Sequence, residues 1–415
     1  PASIVAVLNP PVTLNSAIYS LDELRAQIDA TAAKAEGEFI MSNSAYVNAA
    51  GTLVDAAIVT KDNVKTSMDE ALKDPAPVQI YVERLLAKAT ANTEVQDEKF
   101  EVGEYDGKKV FAKVLGWQIA DYQKQAYMIK HVNTSWTDAD LGFAWSNPTQ
   151  FRSYWAQTVP FSDNNVIGNY SFNAIDGNEL GASIYTQENT PMAVISTPKA
   201  AGNGLSKFIV AAQLQNADGS ALELCHWQGR DYVEIANVKT AIANNYKLTY
   251  YKKDGQNLVS LAPDDYTFVA DATVATNYQA IPKLANESVE VYTPAADGEV
   301  TDANGKKYTK VAVADVNNAL KIYPAQIRRD GYTYYYIPVA HLGAAGKLGQ
   351  YGIVRNHVYK INITSIAGFG TPVYDPNQTI IPAIPTAEEK SYVSAQINIL
   401  SWKVVNQNVD LDSNQ

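Results

Sequence analysis

The last part of the chain alternates apolar and polar residues with the two-residue period of a β-strand. Its first apolar residues occupy odd-numbered positions: Val393, Ala395, Ile397 and Ile399. The alternation then changes phase, because Leu400, Trp402 and Val404 continue it on even-numbered positions. A shift of one residue exchanges the faces of a strand, so the pattern predicts two short strands joined by a bulge or bend at Ile399-Leu400. In an isolated monomer we expect this tail to be mobile or bound to a neighbouring molecule.

The segment before the tail is rich in proline. Pro372, Pro376, Pro382 and Pro385 lie in it. Proline has no N–H to donate, so this segment can neither continue a helix nor sit in a central strand. The pattern predicts an extended linker that carries the terminal strand away from its own domain. A strand held in this way is suited to complete the sheet of another molecule.

Turn dipeptides recur between β-rich runs over much of the chain. They are Asp106-Gly107, Asp176-Gly177, Asp218-Gly219, Asp254-Gly255, Asn304-Gly305 and Asp330-Gly331. Asp-Gly and Asn-Gly tolerate the positive φ angles of tight hairpins, so they predict antiparallel sheets packed as sandwiches.

Helices are predicted to be few and short, each packed against a sheet. Ser20 to Glu23 forms a capping box, and Leu21, Leu24 and Ile28 share one helical face. A second stripe consists of Val64, Met68 and Leu72, and a third helix holds Val238 and Ile242.

The order of these patterns predicts three regions. Residues 1–130 form an N-terminal sandwich domain whose early strands are missing, and residues 131–370 form a C-terminal sandwich domain. Residues 371–415 form the linker and the tail. The chain begins at Pro1 without a methionine or a leader, so we expect it to be the remainder of a longer precursor.

Composition narrows the classes of function. The net charge of −11 argues against nucleic acid and against an anionic membrane surface as partners. The 46% content of hydrophobic residues is typical of a folded protein with hydrophobic cores and argues against disorder. Cys225 is the single cysteine, so no internal disulfide can form. No apolar run is long enough to cross a bilayer.

Patterns of catalytic and ligand-binding residues are not found. The four histidines, at 131, 226, 341 and 357, are not at metal-ligand spacing, and no nucleophile, phosphate-loop or dinucleotide motif occurs. Cys225 and His226 are neighbours on a strand and point to opposite faces. Two acidic pairs, Asp138/Asp140 and Asp264/Asp265, fit local turn hydrogen bonds better than calcium binding. We therefore expect no catalytic residue, no metal and no cofactor.

Aromatic residues allow a second interpretation. Tyr332, Tyr334 and Tyr336 alternate with Tyr335 and Ile337, so both faces of one strand carry rings. Cross-strand packing is the ordinary explanation. A glycan-binding platform is the alternative, since tyrosine offers an apolar face with a polar rim.

Three short motifs stand out in the chain: Val82-Glu83-Arg84, Val354-Arg355-Asn356 and Ser401-Trp402-Lys403. Together they resemble the fimbrillins that build the type V pili of Bacteroidetes, and among these the short-fimbria (minor fimbrillin) shaft subunit. Val82-Glu83-Arg84 resembles their Val-Glu-Arg strand, and Val354-Arg355-Asn356 with Tyr359, Ile361 and Ile363 is similar to their Val-Arg-Asn strand. Ser401-Trp402-Lys403 is similar to their Pro-Trp-Lys ending, although the tail here runs past the usual stop.

The resemblance implies a mainly β fold with two transthyretin-like antiparallel sandwiches and a few short helices. It implies export as a lipoprotein precursor, N-terminal trimming, and a fimbrium attached to the outer membrane. The C-terminal strand of one subunit would fill a groove of the next by donor-strand exchange. This interpretation makes the chain a structural, non-enzymatic pilin of an adhesive, biofilm-forming filament. The donor residues would be Val393, Ala395, Ile397, Ile399, Leu400, Trp402 and Val404.

The expected partners are identical pilin subunits, accessory tip and anchor fimbrillins, and receptors or glycans on host or bacterial surfaces. Two alternatives stay open from the sequence. One is a surface glycan-binding lipoprotein, favoured by the abundance of aromatic residues. The other is a tip or anchor subunit, for which a donor tail is not expected.

Overall fold

The protein is mostly β. The computed structural model describes residues 2–10, 14, 20–26, 28–29, 38–48, 50, 53–133, 135–143, 155–160, 167–168, 170–198, 203–273, 277–380 and 392–401. Almost all the strand pairs in these residues are antiparallel, as the turn dipeptides predict. At Asp106-Gly107 both residues have positive φ, 49° and 70°, and the flanking Tyr105 and Lys108 are paired. This is the geometry that a two-residue hairpin requires.

In chain order the strands are β1 (Ala2–Ile4), β2 (Val7–Leu8), β3 (Ile28–Asp29), β4 (Met41–Asn43), β5 (Tyr46–Val47), β6 (Leu53–Val54), β7 (Ala57–Val59), β8 (Val82–Arg84), β9 (Leu86–Asn92), β10 (Lys99–Tyr105), β11 (Lys108–Ala120), β12 (Tyr122–Gln123), β13 (Ala126–Tyr127), β14 (Ile167–Gly168), β15 (Tyr170–Ser171), β16 (Ser183–Gln187), β17 (Lys207–Gln215), β18 (Leu224–Trp227), β19 (Arg230–Val233), β20 (Tyr251–Asp254), β21 (Asn257–Ser260), β22 (Tyr266–Ala270), β23 (Ala280–Leu284), β24 (Val291–Pro294), β25 (Val300–Thr301), β26 (Lys307–Val311), β27 (Gln326–Ile327), β28 (Tyr332–Pro338), β29 (His357–Ala367), β30 (Thr371–Pro372), β31 (Thr379–Ile380) and β32 (Tyr392–Ser401). The α-helices of the described residues are α1 (Leu21–Arg25), α2 (Met68–Leu72), α3 (Asp138–Leu141), α4 (Phe172–Ile175), α5 (Ile235–Asn245) and α6 (Val313–Lys321).

Two sheets form the main sandwich. One has the strand order β10-β11-β17-β28-β30, and the other has the order β16-β9-β29-β32. Alternation along each strand places one row of side chains in the space between the sheets. This core contains Ala87, Ala89 and Ala91 of β9, Val110, Ala112 and Val114 of β11, Phe208, Val210 and Ala212 of β17, and Tyr359, Ile361 and Ile363 of β29.

The main sandwich combines strands from both sides of residue 130. In one sheet β11 pairs with β17, and in the other β9 pairs with β29 in parallel, with Val358 opposite Lys88. The predicted boundary near residue 130 therefore falls within one sandwich, and the division into two sandwiches at that point is wrong for these sheets. The physical reason is that long-range pairing between β9 and β29 leaves no local signal in either strand.

A separate hydrophobic core lies in residues 216–331, which we call the inserted unit. The strands that flank it, β17 and β28, are direct neighbours, with Gln213 opposite Tyr332. The unit holds β18 to β27 with α5 and α6, packed around Trp227, Val238, Ile242, Tyr266 and Leu320. The prediction that Val238 and Ile242 form the buried face of a helix is confirmed.

Cys225 belongs to the core of this unit. It is fully buried, and burial raises the pKa of its thiol to about 12. His226, next to it, lies 2.8 Å from the Asp231 carboxylate through Nδ1. Cys225 is therefore a buried core thiol, and the partly exposed His226 imidazole pairs with Asp231.

The two early helices are shorter than their apolar patterns predict. The capping box of Ser20 and Glu23 is present, but α1 ends at Arg25 and Ile28 belongs to β3. In α2, Val64 precedes the helix, and Val64 and Met68 are exposed at 68% and 78%. The expected burial is therefore wrong for Val64 and Met68, whereas Leu21 and Leu24 of α1 are half-buried. Each helix spans little more than one turn.

Candidate functional site

The C-terminal strand is paired along its length with β29 of the same chain. In this antiparallel register Ile399 lies opposite Tyr359 and Ile397 opposite Ile361, and β32 forms the edge of its sheet. The expectation that the tail of a monomer is mobile or bound to a neighbour is therefore wrong for residues 392–401. Trp402 and Val404 lie outside the described residues.

An irregularity in β29 matches its pairing to the apolar pattern of β32. The register shifts between Ile363 and Ser365, so Thr364 is an extra residue in β29. Up to Ile363 the buried residues of β29 are odd-numbered, and beyond the shift Ile366 is buried. The register therefore places four odd-numbered donor positions opposite buried residues: Val393 opposite Ile366, Ala395 opposite Ile363, Ile397 opposite Ile361, and Ile399 opposite Tyr359.

The predicted bulge at Ile399-Leu400 is wrong. Ile399 and Leu400 pair with the consecutive residues Tyr359 and Val358, so β32 is one continuous strand over its described length. The break lies in the partner strand at Thr364. A signal for it exists in the sequence, since the apolar alternation of Ile361 and Ile363 resumes one residue late at Ile366.

A buried chain of hydrogen bonds holds the first half of β29 in place on the core side of its sheet. The backbone N–H of Val354 donates to the Tyr359 hydroxyl at 2.8 Å, and this hydroxyl lies 3.0 Å from Nδ1 of His341. Burial raises the pKa of Tyr359, so the hydroxyl keeps its proton. The strand that receives the tail is thus held rigidly by polar contacts on its core side.

The two motifs that resemble fimbrillin strands meet in space. The backbone N–H of Asn356 donates to the Leu86 carbonyl at 3.0 Å. The Asn356 side-chain oxygen accepts from the backbone N–H of Arg84 at 3.4 Å. These contacts join the start of β9 to the start of β29, where the parallel pairing of the two strands begins.

A buried charge cluster, formed by Glu83, Lys130, Glu188 and Arg355, lies beside this junction. Nε of Arg355 donates to the Glu188 carboxylate at 3.0 Å, and Nη2 also donates to the Tyr127 carbonyl at 2.8 Å. Both side chains of this pair are fully buried. Burial alone would lower the pKa of Arg355, but the Glu188 carboxylate outweighs it and leaves this pKa raised. The guanidinium thus ties the Val-Arg-Asn motif to two distant segments.

The second pair of the cluster joins Lys130 and Glu83. Its Nζ and Oε1 atoms are 2.9 Å apart, and the two side chains are exposed by 0% and 1%. Burial raises the pKa of Glu83, against the opposing effect of the Lys130 charge. Sequence reasoning noted Glu83 and Arg355 only through the motifs. It missed Lys130 and Glu188, because a single charged residue in an ordinary context gives no sign of its burial.

The buried imidazole of His357 predicts sensitivity to acid. Burial lowers its pKa to about 4, and its Nδ1 lies 2.8 Å from the Arg355 carbonyl. Below about pH 6.5 the unfolded chain binds a proton at His357 that the folded chain does not. The contribution of this residue to folding stability is therefore fully present above that pH and is lost as the pH falls toward about 4. The contribution of His357 to the free energy of unfolding should fall by about 3 kcal/mol as the pH drops from about 6.5 to about 4, and the buried His341, whose pKa burial also lowers, should add to the loss. Urea denaturation at about pH 7 and about pH 4 measures this change.

A His357→Gln variant provides the control, because its side chain cannot be protonated. Its unfolding free energy should lose less on acidification than that of the wild type. An equal loss in both proteins would contradict the assignment of the effect to His357.

The alternative sites weighed from the sequence have structural roles. Asp140 accepts from Thr137 at the start of α3, and Asp265 lies 2.6 Å from Nζ of Lys252. Tyr334, Tyr335 and Tyr336 of β28 are buried and Tyr332 is half-buried, so three of these four rings are not accessible to a glycan. Within the described ranges, no group of three or more His, Cys, Asp or Glu side chains could hold a metal ion. No helix in that part of the chain is long and apolar enough to span a bilayer.

Comparison with solved structures gives low similarity over most of the chain. A fimbrilin (fimA) from Porphyromonas gingivalis has 16% identity and a TM-score of 0.37, covering 98% of this chain and 81% of that one. Two putative cell adhesion proteins from Parabacteroides distasonis have 11% and 12% identity and TM-scores of 0.34 and 0.37. The first comparison covers 98% of this chain and 76% of that one, and the second covers 97% and 83%.

Comparison with protein families matches a C-terminal segment of the chain. No curated protein matches the chain. Residues 328–408 match the family described as "Major fimbrial subunit protein type IV, Fimbrillin, C-terminal". The matched segment contains Arg355 and all of β29 and β32. This C-terminal segment, which includes both strands of the candidate site, is therefore similar to the C-terminal part of the fimbrillins, which are fimbrial subunits.

Proposed function

We propose that this protein is a structural pilin of a fimbrial shaft that polymerises by donor-strand exchange, with β32 as the donor. The observation that carries the proposal is the pairing of the C-terminal strand on an edge of the main sandwich. The register places its odd-numbered apolar residues opposite buried residues of β29. The donor residues proposed are Val393, Ala395, Ile397, Ile399, Leu400, Trp402 and Val404.

The outer edge of β29, which we call the acceptor edge, needs a strand. The other edge of β29 is occupied by β9, so without β32 the N–H and C=O groups facing outward would lose their partners. A strand from a second copy supplies the same backbone groups and the same side chains, which is β-augmentation. Donor and acceptor are different surfaces of one molecule, so the contact does not close and produces a filament.

The change from intramolecular to intermolecular pairing is nearly neutral per strand. A Val- or Ile-sized side chain contributes about 1.5–3 kcal/mol on burial, and the same residues of β32 would lie opposite the same residues of β29 in either arrangement. The eleven residues 381–391 connect β31 to β32. Fully extended, such a segment reaches about 40 Å, which is the scale of a small domain. This length supports delivery of the strand to a neighbouring subunit.

A pair of cysteines can distinguish the two arrangements. Lys360 is exposed and lies opposite Asn398, so Lys360→Cys with Asn398→Cys places two thiols at disulfide distance wherever β32 pairs with β29. Oxidised monomers should carry the disulfide within one chain and should not polymerise until it is reduced. Fibres assembled first and then oxidised should give a ladder of covalent multimers on a non-reducing gel.

The single variant Lys360→Cys is the matched control and should give no ladder. The native Cys225 is fully buried and is kept out of the reaction. Fibres that contain the disulfide only within single chains would overturn the assignment of the acceptor edge to a neighbour's strand.

The match of residues 328–408 to the fimbrillin C-terminal family also supports the finer cellular proposals. We propose that the subunit is exported as a lipoprotein precursor and forms an adhesive, biofilm-supporting fimbrium on the outer membrane, with accessory tip and anchor fimbrillins. The presence of a donor strand favours the shaft over a tip subunit, and the motifs favour the short-fimbria type. N-terminal sequencing and electron microscopy of fibres sheared from cells test processing and assembly together.

A further inference from the structure

The Lys130–Glu83 pair is unusual in its surroundings. Its Nζ and Oε1 atoms lie 2.9 Å apart in the fully buried charge cluster. The contact lacks the angles of a hydrogen bond, and Nζ of Lys130 makes no hydrogen bond to any other part of the chain that the structure describes. An ammonium group held in this way is unfavourable, since a buried charge requires hydrogen bonds as well as a partner.

A second buried lysine in the same protein shows the ordinary solution. Nζ of Lys207 lies 2.8 Å from Asp121 and also donates to Asn203 at 3.0 Å and to the Leu205 carbonyl at 3.1 Å. All three ammonium protons therefore have acceptors. The contrast is one of geometry: the Lys207 ammonium has three hydrogen-bond acceptors, whereas Lys130 has a single carboxylate contact without hydrogen-bond angles.

The surroundings of Glu83 suit attack on its carboxyl carbon. Nζ of Lys130 is within about 4 Å of this carbon, because the carbon is one C–O bond length from Oε1. The Ser44 hydroxyl donates to the other carboxyl oxygen, Oε2, at 3.3 Å and can stabilise the negative charge that develops there. Glu188 is already neutralised by Arg355 at the same site. Nucleophile and carbonyl are therefore held together without water competing, which strongly favours reaction.

We propose that Lys130 and Glu83 condense to an intramolecular isopeptide bond. Transfer of one proton from the ammonium to the carboxylate gives a neutral amine and a neutral carboxylic acid. The amine nitrogen then attacks Cδ, the N–C bond forms, a nitrogen proton passes to the hydroxyl oxygen, and the C–O bond breaks with release of water. No oxidant or cofactor is consumed, and the product removes both buried charges.

The bond would join two segments that are far apart in sequence. Glu83 lies in β8, which leads directly into β9, and β9 pairs with the strand that holds the tail. Lys130 follows β13. A covalent link here would anchor the strand next to the acceptor strand against tension along a fibre, whether or not assembly proceeds as proposed above.

The mass of the denatured wild-type protein tests the proposal. It should be lower than the sequence mass by one molecule of water, and proteolysis should release a branched peptide that joins Glu83 to Lys130. A Lys130→Arg variant should have its full sequence mass. A Lys207→Arg variant, the matched control, should retain the deficit of one water.

Two results would overturn the proposal. One is a wild-type protein of full sequence mass that yields unbranched peptides containing Glu83 and Lys130. The other is a water deficit that persists in Lys130→Arg, since Asp-Gly turns elsewhere in the chain can also lose water. The measurement on the wild type requires no variant to fold.

Discussion

Removal of residues 393–415 is expected to leave a folded monomer that forms no fibres. The core residues that the structure describes in the main sandwich and the inserted unit all precede the deletion. The truncated chain has no strand to offer to a neighbour, so each acceptor edge stays empty and the filament cannot propagate. Electron microscopy measures fibre formation, and size-exclusion chromatography with circular dichroism establishes that the monomer is folded.

A shorter deletion is the matched control. Removing residues 406–415 takes away the polar end but keeps all seven proposed donor residues. This variant should assemble like the wild type. Addition of a synthetic peptide of residues 392–405 to the longer truncation should occupy the acceptor edge without extending it. Fibres of normal length from the chain that lacks residues 393–415 would disprove the role of β32 as the donor.

Replacement of Arg355 by methionine is expected to cost about 3–5 kcal/mol of folding stability. The substitution removes the guanidinium and leaves the fully buried Glu188 carboxylate without its partner. It also removes the donor to the Tyr127 carbonyl. Urea denaturation of the monomer, followed by tryptophan fluorescence, measures the loss.

The double variant Arg355→Met with Glu188→Leu should recover much of that stability, because neither charge then remains buried. An exposed pair of similar geometry is the control. Nζ of Lys109 is 2.7 Å from Glu101 with side-chain exposures of 58% and 47%, and Lys109→Met should cost less than about 1 kcal/mol. A loss of that small size for Arg355→Met, or a double variant no more stable than the single one, would contradict the role assigned to the pair.

Local features of this fold could be predicted from the sequence. The hairpin at Asp106-Gly107 follows from residues that accept positive φ, and the helix of Val238 and Ile242 follows from its spacing. The odd-numbered apolar residues of the tail predict a strand, and β32 is one. Each of these depends on interactions between residues close in the chain.

Long-range features could not be predicted in the same way. The return of β32 onto β29 depends on pairing between strands whose sequences do not specify their partner. The extra residue at Thr364 can be recognised only when the apolar alternation of β29 is aligned with that of β32. The burial of Lys130 and Glu188 results from segments that converge in three dimensions. Family motifs indicated Glu83 and Arg355 as notable residues without showing that they belong to one cluster.

The inserted unit has a consequence for engineering. Its two ends leave and rejoin the sheet at adjacent strands, with Gln213 opposite Tyr332. The distance between these two ends is therefore fixed by the pairing of β17 with β28 and does not depend on the structure of the inserted unit. A foreign domain with neighbouring termini could be exchanged for residues 216–331 and displayed at regular intervals along a fibre, leaving β29 and β32 unchanged.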